Sequence, residues 1–136
     1  MITLTNLGIA CYALCDLQKA KELSERALAI KEKHYGLDHF EVAKLLANLG
    51  IIYGAMDNFQ KAKALLERAL PTFEKHYGSD HFEVAVILVN LGIAHGDLGN
   101  HKKKKELLEQ TLPIFEKHYG SGHIQVAKLL AELDKV

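Results

Sequence analysis

The chain has no tryptophan, only two prolines and only two cysteines in 136 residues, and its 17 Lys and Arg offset 17 Asp and Glu. Each scarcity excludes something. Cys11 and Cys15 cannot build a disulfide framework, and their spacing is neither a CxxC pair nor a zinc knuckle. They read as buried or half-buried thiols of a reducing, cytoplasmic setting. Zero net charge supplies no global field to draw the chain to nucleic acid or an anionic membrane, so neither is expected as a partner. The most apolar stretch, residues 2–15, lacks the basic lead of a signal peptide. It also aligns with residues 44–57, an ordinary amphipathic pattern, which argues against export and membrane insertion. No nucleophile elbow, phosphate loop or HExxH is present, so an enzyme is not expected.

What the chain does have is a repeat. Glu32-Lys33-His34-Tyr35-Gly36-Leu37-Asp38-His39-Phe40-Glu41-Val42-Ala43 returns forty-two residues later, from Glu74 to Ala85, with Ser79 as the one change. A weaker copy runs from Glu116 to Ala127, with Gly122, Ile124 and Gln125 in place of Asp, Phe and Glu. A fixed period of this length marks a stacked array in which no unit buries its apolar face alone. The block itself reads as a helix end, a tight turn and a helix start. Gly36, Gly78 and Gly120 stand where the backbone needs positive φ. Asp38 and Asp80, each with a Glu three residues on, carry a capping-box pattern, and Gly122 takes that place in the third copy.

Between the blocks lie two amphipathic patterns per copy. In the leading helix Val42, Leu45, Leu46, Leu49, Ile52, Tyr53 and Met56 share one face at 3.6-residue spacing. Gly50, matched by Gly8 and Gly92, is small where two helices approach. Asn58, like Asn100, is placed to cap the trailing helix. That helix turns Phe59, Ala62, Leu65, Leu66, Ala69, Leu70 and Phe73 inward, with Ala62 and Ala69 at a close crossing. Pro71 and Pro113 fall inside it and are expected to bend it a turn earlier. Few prolines among so many apolar residues fit an all-α protein. The first copy starts partway through its leading helix, and the last pattern, at 124–136, is a leading helix alone. Residues 1–136 thus read as one array of three helix pairs, the first truncated, plus a half repeat. Apolar faces at both ends suit a fragment of a longer array or a protein that stacks end to end as a homo-oligomer.

Two features invite other chemistry. The histidine pairs His34/His39, His76/His81 and His118/His123 each span a turn, but no cysteine or carboxylate completes a tetrahedral set. Capping or packing at the joint explains them better than metal binding, and no metal or cofactor is expected. Asp38-His39 and Asp80-His81 read the same way rather than as a hydrolytic relay. The run Lys102-Lys103-Lys104-Lys105 is read as a solvated face, because Lys21–Glu25, Lys63–Glu67 and Lys105–Glu109 are all spaced for i,i+4 pairing. Lys104 stands at an Ala position, so it should snorkel outward or loosen the crossing, and Lys104→Ala should stabilise.

With the helix pairs laid out, the sequence resembles the tetratricopeptide repeat family. The carrying residues are Leu49-Gly50-Ile51-Ile52-Tyr53 and the small Ala62 and Ala69. The forty-two-residue length and the Gly-x-Asp-His-x-x-Val-Ala joint most resemble the repeats of kinesin light chain. The sequence departs from the pattern where Cys11 and His95 replace Tyr53's ring, where Cys15 and Asp57 replace a loop Gly, and where Lys104 and Thr111 replace the two Ala. The resemblance implies a right-handed superhelical solenoid of antiparallel helix pairs, a non-catalytic scaffold whose leading helices line a concave face. It implies a protein or peptide partner held on Asn6, Ile9 and Ala13, on Lys44, Ala47, Asn48, Ile51 and Ala55, and on Val86, Val89, Asn90, Ile93 and Asp97. On a helical wheel Lys44, Asn48, Ile51 and Ala55 lie opposite the core stripe, which agrees in direction. An amide at Asn48 or Asn90 can both donate to and accept from a peptide bond. The alternative is that the isoleucines pack between adjacent leading helices and the asparagines are solvated or bonded within the array.

Overall fold

A computed structural model of the protein describes residues 17–36, 39–120 and 122–134. Among them are six α-helices and no strand: α1 (Leu17–Tyr35), α2 (Phe40–Ala55), α3 (Phe59–Tyr77), α4 (Phe82–Asp97), α5 (His101–Tyr119) and α6 (Ile124–Asp134). Trailing helices of 19 residues alternate with leading helices of 16 until the shorter α6. The fold is all-α and built of repeats. Cys11, Cys15, Asn6, Ile9, Ala13 and Asp38 lie outside the described residues.

The joints explain the alternation. Each trailing helix ends in a glycine at positive φ, 88° at Gly36 and 92° at Gly78 and Gly120. The next helix then begins one residue later than a capping box from Asp38 or Asp80 requires. His39 and His81 stand in extended backbone at the N-cap, and the Nδ1 of each accepts from the N–H of Glu41 and Glu83, at 3.1 and 3.0 Å. His123, not Gly122, does the same for the N–H of Gln125 at 3.1 Å. Nδ1 accepts only when it carries no proton, so these rings hold their hydrogen on Nε2. The capping aspartates of the sequence reading are therefore replaced by the histidines that follow them. Histidine wins because a second partner fixes its ring. Tyr35, Tyr77 and Tyr119 stack on His39, His81 and His123 at 4.3, 4.3 and 4.4 Å between centroids.

The turn between leading and trailing helix uses a different device. Asn58 and Asn100 accept from the N–H of Lys61 and Lys103. The residue before each is left-handed, φ 63° at Asp57 and 98° at Gly99. Asp57 occupies a conformation that glycine enters without a Cβ penalty.

The chain divides into two compact units, Met1–Thr72 and Phe73–Val136. In the first, α1 packs on α2 and Leu45, Leu49 and Leu66 are almost wholly buried. Burial of such a side chain contributes about 1.5–3 kcal/mol. Gly50 is small for a measurable reason: a Cβ there would lie 2.7 Å from Cγ of Leu66 and 3.3 Å from the carbonyl of Ala62. Ser24, the counterpart of Leu66, is buried and its hydroxyl has no hydrogen-bond partner.

In the second unit α5 packs on both α4 and α6. Ala85, Leu108, Phe115, Val126 and Leu129 make its core, with Phe82, Val89 and Leu112 packed against them. Thr111 is fully buried at an Ala position, and its hydroxyl donates to the Leu108 carbonyl at 2.9 Å, so no polar atom is stranded. Lys104 does not snorkel out to solvent. Its stem lies against the space beside Gly96, its side chain is 13% exposed, and Nζ donates to Glu132 at 3.1 Å.

Helices α3 and α5 run unbroken through Pro71 and Pro113. Both rings are exposed, as are Glu67 and Glu109 one turn earlier, whose carbonyls lose their N–H partners. An exposed helix face is where water can take the place of a lost N–H partner, which lowers the usual cost of proline inside a helix.

Candidate functional site: the outward stripes of the leading helices

Leading helices α2 and α4 are buried over a broad arc, since each packs on more than one neighbour in a repeat. What remains partly open on each is a narrow stripe. On α2 it consists of Lys44, Asn48 and Ile51, all half-buried, and Ala55, exposed. On α4 it consists of Val86, Asn90 and Ile93, all half-buried, and Asp97, exposed at the last residue of the helix. The i, i+4, i+7, i+11 spacing puts each set on one side of its helix. Both stripes thus pair an amide with branched apolar side chains.

The other sequence-derived residues sit differently. Ala47 is 5% exposed and offers little area to anything outside the fold. Val89 packs against the core of the second unit.

Polar groups on the stripes are partly committed. Asn90 Nδ2 donates to the Val86 carbonyl one turn back at 2.8 Å, which leaves its Oδ1 to accept. Lys44 is held by Glu41 at 3.1 Å and lies 5.4 Å from the Phe40 ring centroid. A ligand's carboxylate would have to compete with Glu41 for it. The stripes can therefore hydrogen-bond a backbone and cover apolar side chains, and they present no nucleophile–base pair.

Three polar constellations escape a reading by motif. The Tyr53 hydroxyl donates to Glu25 at 2.9 Å, and Lys21 and Lys61 lie 5.7 and 5.1 Å from its ring centroid. Burial, then the hydrogen bond to Glu25 and that carboxylate's charge, pushes the phenol from 10.0 up to about 12. Glu25 is thus spent on Tyr53 rather than on the Lys21 spaced to pair with it. Lys104–Glu132 is the second, a pairing that the departure of Lys104 from the repeat pattern does not announce. The third lies at the start of α4, where Phe82 and His118 stack 3.8 Å apart and nearly parallel. Asp80, Glu83, Ile114 and Lys117 complete an open cleft of about 400 Å³ there. The signal for the capping histidines was the recurrence of Tyr-Gly-x-x-His. Nothing in the spacing announced the other contacts. Among the described residues, no group of three His, Cys, Asp or Glu is placed to hold a metal, and no helix is long and apolar enough to cross a membrane.

Comparison with known proteins bears on this arrangement. The family model for the tetratricopeptide repeat matches residues 1–75 and again 41–117. No curated protein sequence matches the chain. Among solved structures, a kinesin-light-chain-type protein of P. anserina with nearly identical TPR-like repeats superposes with a TM-score of 0.83 at 26% identity. That match covers 97% of this chain and 63% of the other. BtubC (BKLC) of P. vanneervenii gives 0.82 at 23% identity over 96% of this chain and 52% of that one. The N-terminal domain of stress-induced protein-1 of C. elegans gives 0.65 at 16% identity, covering 96% and 91%. The chain spans about half to under two thirds of the length of the first two. Repeats of this class serve in general as protein-interaction scaffolds. With a family model spanning most of its length and neighbours of the kinesin-light-chain type, the chain belongs to the tetratricopeptide repeat family.

Proposed function

We propose that the chain is a single non-catalytic array that holds a peptide segment of another protein along its leading helices, in the cytoplasm. The observation that carries this reading is the composition of the stripes. Asn48 with Ile51, and Asn90 with Val86 and Ile93, stay half open on helices whose core-facing residues are buried. Branched apolar groups beside an amide suit a partner that contributes both side chains and backbone. Lys44, Ala55 and Asp97 flank the contact, with Ala47 and Val89 as the small and apolar floor; Asn6 and Ile9 continue the set in the first copy.

The test is selection of peptides from a displayed library on the intact chain. Binding of the selected peptide to the Asn48→Ala/Asn90→Ala variant follows, with circular dichroism as the fold control. Weakening of about tenfold, the loss of roughly 1.4 kcal/mol, supports the reading. Equal binding by the folded double variant refutes it.

A second reading rests on α6. Ile124 is 63% exposed and Leu130 45% exposed, whereas their counterparts in α2 and α4, Leu46 and Leu88, are buried and Phe40 and Phe82 half-buried. An array that stacks with its own copies would cover them. Sedimentation across a range of concentrations separates the two readings: growth of mass favours stacking, and a constant monomer mass excludes it.

A further inference from the structure

The lysine run at the start of α5 is a solvated face, as its sequence suggests, but it is not self-paired. Among the described residues, Lys104 is the one member of the run with an ionic partner, Glu132. Lys105 and Glu109 are spaced for an i,i+4 pair and do not form one. Among the described residues, none of Lys102, Lys103 and Lys105 meets a carboxylate, and all three are exposed. Their setting intensifies the charge. The first turn of α5 contains no acidic residue, and a helix N-terminus adds a partial positive charge of its own.

Two of the lysines at equivalent positions in other copies are occupied, and Lys102 stands where those copies have Gln18 and Gln60. Lys21 and Lys61 lie over the Tyr53 ring. In α4 the residue at the Tyr53 position is His95, and Lys103, the counterpart of Lys61, lies over no aromatic ring among the described residues. The chain as a whole is neutral, so this concentration of like charge is not part of a generally basic surface.

We propose that Lys102, Lys103 and Lys105 form a docking patch for a short run of carboxylates on a partner polypeptide. The patch lies on a trailing helix and does not depend on the leading-helix stripes. Its extent selects the partner's chemistry. From 102 to 105 the helix rises only about 4.5 Å. Glu106 and Glu109, both exposed, close the patch on the next turn and repel a polyanion that continues along the helix. Nucleic-acid binding gains from many neutralised phosphates and from aromatic platforms, and the run offers three lysines and no aromatic residue. Lys102 and Lys105, three apart, share one side of the helix, and Lys103 stands about 100° round from Lys102. A cluster of two Glu or Asp side chains on the first face, with a third reaching Lys103 over the helix end, matches the charge and the reach.

The experiment is a titration of the isotope-labelled full chain with hexaglutamate, followed by amide shifts in heteronuclear correlation spectra. Shifts should be confined to residues 101–106, and half-saturation should rise several-fold when salt goes from about 20 to about 200 mM. They should vanish in Lys102→Glu/Lys103→Glu/Lys105→Glu. The neutral Lys102→Gln/Lys103→Gln/Lys105→Gln variant should lose them too, which guards against misfolding of the reversed one. Shifts spread evenly over the lysines of α1 and α3, or retained in the folded Gln variant, overturn the proposal. So does a tighter response of the same amides to a hexanucleotide or to phosphatidylserine vesicles, which would make the patch a nucleic-acid or membrane contact.

Discussion

Gly50 and Gly92 occupy the same place in successive copies, and alanine should move their stabilities in opposite directions. In a helix interior alanine is favoured over glycine by about 1 kcal/mol, so both substitutions start from the same gain. At Gly92 the new Cβ would meet Leu108 at 3.4 Å and Leu107 at 3.5 Å, which is ordinary contact, and most of that gain should survive. At Gly50 the Cβ would lie 2.7 and 2.9 Å from Cγ and Cδ2 of Leu66 and 3.3 Å from a backbone carbonyl. Leu66 is 1% exposed, and its nearer clashing atom is the branching Cγ rather than the far end of a flexible chain. Overpacking of this kind costs about 1–3 kcal/mol, so Gly50→Ala should come out net destabilising by about 1 kcal/mol. In a chain of this length 1 kcal/mol corresponds to roughly 3–4 °C in Tm. Repeat arrays need not unfold in one step, so hydrogen exchange of α2 and α3 against α4 and α5 should accompany the melts. A cycle with Leu66→Ala isolates the clash: the double variant should be less damaged than the sum of the singles, with a coupling of about 1 kcal/mol. Shifts of the same sign at both glycines, or additivity in the cycle, would refute the reasoning.

The Tyr53 phenol, raised to about 12, holds its proton in the folded state after an unfolded tyrosine has lost it. Its contribution is therefore present below pH 10 and lost as pH rises from about 10 to 12, with a ceiling of about 2–3 kcal/mol. Urea melts should show that slope in the parent and not in Tyr53→Phe, and absorbance titration should show a late phenol in the parent that Tyr53→Phe removes. At the second joint, His81→Ala removes both the cap and the Tyr77 stack and should cost about 1 kcal/mol, while Asp80→Ala stays within about 0.5 kcal/mol. The reverse order in thermal melts would restore the aspartate as cap. Lys104→Ala should destabilise by about 1–2 kcal/mol, the opposite of what the Ala at this position in other copies suggests. It empties the space beside Gly96 and breaks a shielded ion pair, although Glu132 stays open enough to rehydrate. A rise in Tm would show that the pair contributes nothing.

How much of this was legible in the sequence follows from which contacts the repeat itself dictates. Helix number, order and inward faces come from periodicity, and periodicity is redundant. Leu45, Leu49, Leu65 and Leu66 are buried because four positions per helix agree on one direction. Gly36, Gly78 and Gly120 were readable for a similar reason, since a positive φ after a helix leaves few residue types to choose from. The cap was misplaced by one residue because Asp-His-x-Glu satisfies a one-dimensional rule for aspartate, whereas the chain is decided by a ring stack that rule does not contain. Tyr77 holds His81 in position, and a held imidazole reaches the N–H of Glu83 as well as a carboxylate would. The polar links between helices were hidden for a deeper reason. Glu25 meets Tyr53, and Lys104 meets Glu132, each across twenty-eight residues, in pairings that the copies do not share. A sequence repeats what stacking requires of every copy. What distinguishes one copy from the next is written in single substitutions such as His95 for Tyr53's ring and Lys104 for Ala62, and recognition by the stripes or by the lysine patch has to be sought at those positions.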